Sequence, residues 1–227
     1  GVVCTDGSSS ARSGVYADYT DAEMQKVRRQ EQRAAAGVGR YTAVVQLDYP
    51  SSETKAPPAN KHLREDLAEI FTAARPRIVY LPNLADKHET HVAIALAAVD
   101  ALRMAAPTHM PERVYGCEVW RGLDWMMDAE KMALDVSAHE NLAAALTGLF
   151  DSQVTGGKRY DLATLGRRRA NATYFESHGV DKSDQLNFAM DLTPLIRDPK
   201  LDIAGYVTGF IHRFEEDVRG KLKKLGT

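Results

Sequence analysis

Three short apolar runs set the fold class: VVCT at 2–5, TAVVQLDYP at 42–50 and RIVYLP at 77–82. A loop and then a stretch with helical periodicity follow each of them. Strands that alternate with helices cannot form hairpins, so consecutive strands run parallel and the helices cover the sheet faces. RIVYLP is apolar throughout, as a strand buried on both faces requires. The expectation is an α/β fold: a Rossmann-like three-layer α/β/α arrangement with a mostly parallel sheet. In such sheets the loops that leave the carboxyl ends of the strands build the ligand crevice.

The helical stretches carry their own punctuation. In YTDAEMQKVRRQEQRAAAGVG, Thr20 or Asp21 is placed to cap the N-terminus, and Gly37 or Gly39 to stop the helix. KHLREDLAEIFTAARP sets Leu63, Leu67, Ile70 and Phe71 on one face, and Pro76 closes it. A polar, Pro-rich loop is expected over 50–61, and a helix over 92–104. The second half changes style. RVYGCEVWRG and KMALDVS read as strands of a sheet extension or hairpin. AHENLAAALTGLFDSQ and YDLATLGRRRANATYFESHG read as helices, and a basic amphipathic helix ends the segment 200–225. The whole, residues 1–227, reads as one domain with a C-terminal elaboration.

Composition narrows the function. With 44% hydrophobic and 26% charged residues and a formal net charge of −2, the chain presents no global basic field for nucleic acid or an anionic membrane. No run of about 18 apolar residues exists, so no membrane span is expected. Only Cys4 and Cys117 are present, which fits free thiols in a reducing cytoplasm.

The stretch LADKHETHVAIALAAVDAL, residues 84–102, places two of the seven histidines three apart, after the third strand and at the start of a helix. His91 falls in the first helical turn with Thr90 as a candidate N-cap. The helix dipole there favours the neutral imidazole that a metal requires. Two polar loop histidines are the plain alternative, since two ligands do not make a zinc site. Elsewhere Arg28 and Glu31 are spaced for an i, i+3 ion pair. Asp6 lies in the loop after the first strand, lining the crevice or forming an Asx-turn with Gly7. The segment GGKRYDLATLGRRR at 156–169 is either a solvated basic face or a flap for an anionic group. GVGRYT at 37–42 lacks the third glycine of a dinucleotide fingerprint and precedes a strand.

VVCTDG at 2–7, RRQEQRAAAGVG at 28–39, LDYP at 47–50 and ADKHETH at 85–91, in that order, resemble the PIG-L / LmbE-like family of zinc-dependent N-acetylglucosaminyl deacetylases. CEVWRG, LDVSAHENLAAAL and FDSQ resemble its second half. The resemblance implies a cytoplasmic zinc hydrolase that removes the acetyl group from an N-acetylated sugar, glycoconjugate or related amide. It leaves homo-oligomerisation open. It implies His91 as a zinc ligand, His88 as the group that steadies or protonates the tetrahedral intermediate, and Arg28 near the substrate; Gln153 matches a family position near the cleft or serves as a helix C-cap, and Asp6 joins these candidates from its place in the loop. HETH stands where the family has HPDH, with Glu89 and Thr90 at the Pro and Asp positions. Asp86 or Glu89 is then left to orient a histidine. Ser51 stands where many members carry a sugar-binding Asp. The family's early HPDD segment, with two zinc ligands and the base, does not occur before VVCTDG. The expectation is a zinc-dependent deacetylase whose chain is truncated, lacking its first strand and metal-binding loop, with its activity as given left open. The alternative is a metal-free relative that acts as a binding or scaffold protein.

Overall fold

The structure is a computed structural model, and it describes residues 1–56 and 60–226. In chain order the elements are β1 (Val2–Thr5), α1 (Asp21–Val38), β2 (Val45–Tyr49), α2 (Ser51–Lys55), α3 (Lys61–Ala74), β3 (Ile78–Pro82), α4 (Glu89–Ala105), β4 (Arg113–Cys117), β5 (Met132–Asp135), α5 (Glu140–Gly148), α6 (Asp151–Val154), α7 (Tyr160–Tyr174), β6 (Leu186–Asp191), α8 (Thr193–Arg197) and α9 (Ile203–Lys224). They form two compact units, one from residues 1–63 and 135–186, the other from 64–134 and 187–227.

In the first unit β1 and β2 pair in parallel, with α1 as the crossover between them. Thr20 caps α1. Its hydroxyl accepts from the Glu23 N–H at 3.3 Å, and the Glu23 carboxylate accepts from the Thr20 N–H at 2.8 Å. Two orphan donors of the first turn are thereby satisfied. Gly39 ends the helix, donating its N–H to Ala35 O at 2.8 Å. Met24, Glu31 and Ala35 are the buried residues of α1, spaced for one face. The loop expected at 50–61 is replaced at its start by the single turn α2, and its residues 57–59 lie outside the described residues. The helix expected across AHENLAAALTGLFDSQ is broken into α5 and α6, because Phe150 leaves helical geometry at φ −90°, ψ 58°.

In the second unit the strand order is β3-β4-β6-β5. β3 and β4 are parallel, in register from Ile78 opposite Arg113 to Pro82 opposite Cys117, with α4 as the crossover. β4 and β6 are antiparallel, Gly116 opposite Met190. The alternation expected from the sequence is present, but its ladders form two sheets and one of them is mixed. Helix α4 buries Ala95, Ala97, Ala98, Val99, Ala101 and Leu102, a face of mostly small residues that permits close approach to a sheet. It begins at Glu89, earlier than expected. His88 takes the N-cap position and Thr90 lies inside the first turn, not at the cap.

Candidate functional site

The two histidines project from a loop that its own side chains hold in place. Asn83, fully buried, donates to Gly116 O at 3.2 Å, and its side-chain oxygen accepts from the Ala85 N–H at 2.8 Å. The Asn83 N–H donates to Cys117 O at 3.0 Å. Gly116 makes this approach available. A Cβ there would sit 3.2 Å from the Asn83 amide nitrogen and 3.0 Å from Leu192. Arg121 donates to Ala85 O at 2.7 Å. The loop after β3 is thus tied to β4 and to the loop after β4.

On this scaffold Asp86, His88 and His91 converge, with one candidate ligand atom from each lying within 4.8 Å of the others. The Asp86 side chain is only 3% exposed, and the two imidazoles are nearly half exposed. Asp86 Oδ1 accepts from the His88 backbone N–H at 2.8 Å. The same oxygen lies 3.1 Å from His91 Nδ1 and 3.6 Å from His88 Nδ1. The carboxylate is therefore nearer to His91 than to His88. Glu89 is exposed at the start of α4, so of the two carboxylates considered from the sequence, Asp86 reaches the imidazoles. The His88 ring packs against Trp120, with centroids 4.6 Å apart, and the Lys87 ammonium lies over the same indole at 5.4 Å.

Glu118 belongs to the same neighbourhood, and sequence reasoning did not single it out. It follows the last residue of β4, is 5% exposed, and both its carboxylate oxygens are buried without a hydrogen-bond partner. Burial pushes its carboxyl up from the ordinary range, and the charge of Asp86 acts in the same direction. The backbone N–H groups of Leu123 and Arg121 oppose the shift. The available signal was a glutamate at the carboxyl end of an apolar strand, where α/β sheets place ligand-binding residues.

The remaining site residues lie in the first unit. Asp6 is buried and its oxygens are engaged: Oδ1 accepts from Ser8 N–H and Oγ, and Oδ2 from Gln25 Nε2 at 2.9 Å. It forms the Asx-turn. Gly7, at φ +77°, lets the Arg28 stem lie against that turn, since a Cβ at 7 would stand 2.7 Å from Arg28 Cγ. Arg28 pairs with Glu31 at 2.6 Å, and its guanidinium lies 5.3 Å from the Phe150 ring centre. Glu31 is buried and also accepts from Ser152 N–H at 2.7 Å and Ser152 Oγ at 2.9 Å. The i, i+3 pair is therefore part of a buried network and not a surface bridge. Gln153 lies inside α6 and donates to Ser152 Oγ at 3.2 Å. Arg28 and Gln153 line one cleft of about 800 Å³.

The PIG-L family, described as GlcNAc-PI de-N-acetylase, matches residues 1–102, a stretch that contains Asp6, Arg28, Asp86, His88 and His91. The match covers 102 of the chain's 227 residues. No curated protein matches the chain. Among solved structures, the conserved protein TT1542 from Thermus thermophilus superposes with a TM-score of 0.64 at 21% identity, over 88% of this chain and 84% of that one. GalB, the 4-carboxy-2-hydroxymuconate hydratase from Pseudomonas putida, gives 0.64 at 18% identity, over 84% and 82%. N,N′-diacetylchitobiose deacetylase from Pyrococcus horikoshii gives 0.57 at 15% identity, over 82% and 71%. These likenesses establish a shared fold. Proteins described as a hydratase and a deacetylase share this fold, so the chemistry has to be argued from the side chains.

The pair Asp86 and His91 fits a zinc ion, with His88 beside it. An imidazole and a carboxylate are both ligands zinc accepts. The unpartnered carboxylate of Glu118 fits the same reading, because a buried anion near a cation site has a charge to answer it.

Proposed function

We propose that the chain is a zinc-dependent amide hydrolase that deacetylates an N-acetyl amino sugar or a related glycoconjugate. The observation that carries this reading is the convergence of Asp86, His88 and His91 after β3, within the stretch that matches the PIG-L family. His91 and Asp86 would hold the ion. The chemistry supplied by zinc there is polarisation of the amide carbonyl and activation of water. His88 is left to hold a proton on its ring and deliver it to the departing amine. Packing against the Trp120 ring, tilted 59° to it, limits the orientations its ring can take. Hydrolysis adds water across the amide C–N bond and yields acetate and a free amine.

Arg28 and Gln153 enter this proposal as substrate contacts, and Asp6 as the support of the loop beside Arg28. The accompanying fold class is the Rossmann-like α/β/α one, as a single domain. No helix among the described residues is long and apolar enough to cross a membrane. Cys4 and Cys117 are free, and burial pushes both thiols up to about 11, so they stay protonated and inert. A cytoplasmic location suits them.

Elemental analysis after dialysis against trace zinc tests the reading. The native chain is expected to hold near one zinc, and His91→Ala to lose it. Acetate release from N-acetylglucosamine conjugates should then vanish in both His91→Ala and His88→Ala, with zinc retained in the latter. No zinc in the native chain overturns the proposal and leaves the metal-free binding or scaffold reading.

A further inference from the structure

The segment GGKRYDLATLGRRR is dense in cations, and two of its five are paired with carboxylates. Arg159 pairs with Asp161 at 2.6 Å, Arg169 pairs with Glu140, and Lys158 and Arg167 are engaged as well. Arg168 differs. Among the described residues no hydrogen bond or ion pair reaches it, and its Nε is buried without an acceptor. Burial pulls its guanidinium below the usual arginine value. An arginine that is partly dried and unanswered is costly to keep, and an arriving anion would remove that cost.

Arg168 lines the cleft of about 800 Å³ formed within the first unit by α1, α5, α6 and α7, a volume suited to a small organic ligand. Leu142 and Leu146 on α5, with Phe150 and Val154, give the same cleft an apolar wall. The charges of Arg28 and Asp135 on the same cleft are accounted for, and His139 lines it as well. Arg28 is matched by Glu31. Asp135 accepts from Ser137 N–H at 2.9 Å, Ser137 Oγ at 2.6 Å and Ser183 Oγ at 2.8 Å. One positive charge is therefore left unanswered, and the Asp135 carboxylate on the same wall repels a second negative charge. That balance suits a monoanion better than a phosphate dianion. The planar guanidinium matches a carboxylate through two parallel N–H groups.

We propose that this cleft binds a carboxylate with an apolar body, the carboxylate on Arg168 and the apolar part along Leu142, Leu146, Phe150 and Val154. The cleft also holds Arg28 and Gln153, which the deacetylase reading takes as substrate contacts, but carboxylate binding on Arg168 requires neither zinc nor catalysis.

Sodium octanoate is the test ligand, with 1-octanol and sodium acetate as partners that each lack one half of it. Titration calorimetry is run on the full chain in chelator, so the outcome does not depend on the metal site. Octanoate is expected to bind at least tenfold more tightly than either partner, and Arg168→Met to weaken octanoate at least tenfold while leaving octanol unchanged. Arg169→Met, whose cation is already paired, should bind octanoate as the native chain does. Arg168→Met should melt at the native temperature or above it, because it deletes an unsatisfied buried donor. Octanol binding as tightly as octanoate, acetate binding as tightly as octanoate, or no octanoate binding by the native chain would each overturn the proposal. The three-ligand comparison on the native chain decides it even without the variants.

Discussion

Replacing Glu31 discriminates a surface ion pair from a buried structural network. Its carboxylate is 9% exposed and serves three donors: Arg28 Nη1 at 2.6 Å, Ser152 N–H at 2.7 Å and Ser152 Oγ at 2.9 Å. Ser152 is itself fully buried, so water cannot replace the acceptor it would lose. A surface i, i+3 pair is worth under about 1 kcal/mol. Removing one partner of a buried, hydrogen-bonded charge pair costs about 3–5 kcal/mol, because the remaining groups stay desolvated. Glu31→Ala should fall in the second range. With a urea slope of about 2 kcal/mol per molar, the unfolding midpoint followed by circular dichroism should drop by about 1.5–2.5 M. Arg28→Met should cost less, since Ser152 still satisfies the carboxylate. The reasoning fails if Glu31→Ala moves the midpoint by less than about 0.5 M, or if Arg28→Met is the costlier change.

Two further outcomes follow from the second unit. Gly116→Ala should displace Asn83 and cost about 1–3 kcal/mol, with weaker zinc retention measured on the same preparation; unchanged zinc content would disconnect Asn83 from the histidine loop. Glu118→Gln probes linkage in metal-free protein. The folded carboxyl is raised, so the native chain keeps its full relative stability below the ordinary value of 4.5 and loses it as pH climbs through the raised one. The variant should therefore gain on the native chain as pH rises above about 4.5, and a difference constant with pH would refute the burial argument.

What could be read from the sequence was what local chemistry decides. Thr20 and Gly39 bound α1 because a capping hydroxyl and a terminal glycine act within one turn. The 88/91 spacing announced the imidazole pair because both residues sit at one helix start. Strand β6 was missed. Its pairing partner β4 lies some 70 residues earlier, and no local pattern in LNFAMD names that partner. The single turns α2 and α8 were missed for a related reason, as a one-turn helix has no nucleation advantage of its own. Glu118 stayed hidden because an unpartnered burial is a property of the surroundings. Arg28 and Glu31 were legible as a pair, but not the third member, Ser152, more than 120 residues away.

The chain visits each unit twice, and this orders events during synthesis. Residues 1–63 emerge well before 135–186, the stretch that completes their unit. At about 5–20 residues per second, the 71 residues between them impose a wait of roughly 4–14 s. Through that interval β1, β2 and the Glu31 carboxylate have no Ser152 to close over them, and the nascent chain is a candidate client for chaperones. The same threading bears on fragment work. The stretch 1–102 carries the family match, yet it holds an incomplete share of both units. Expressed alone it would present two unfinished cores, and no single cut of the chain releases either unit whole.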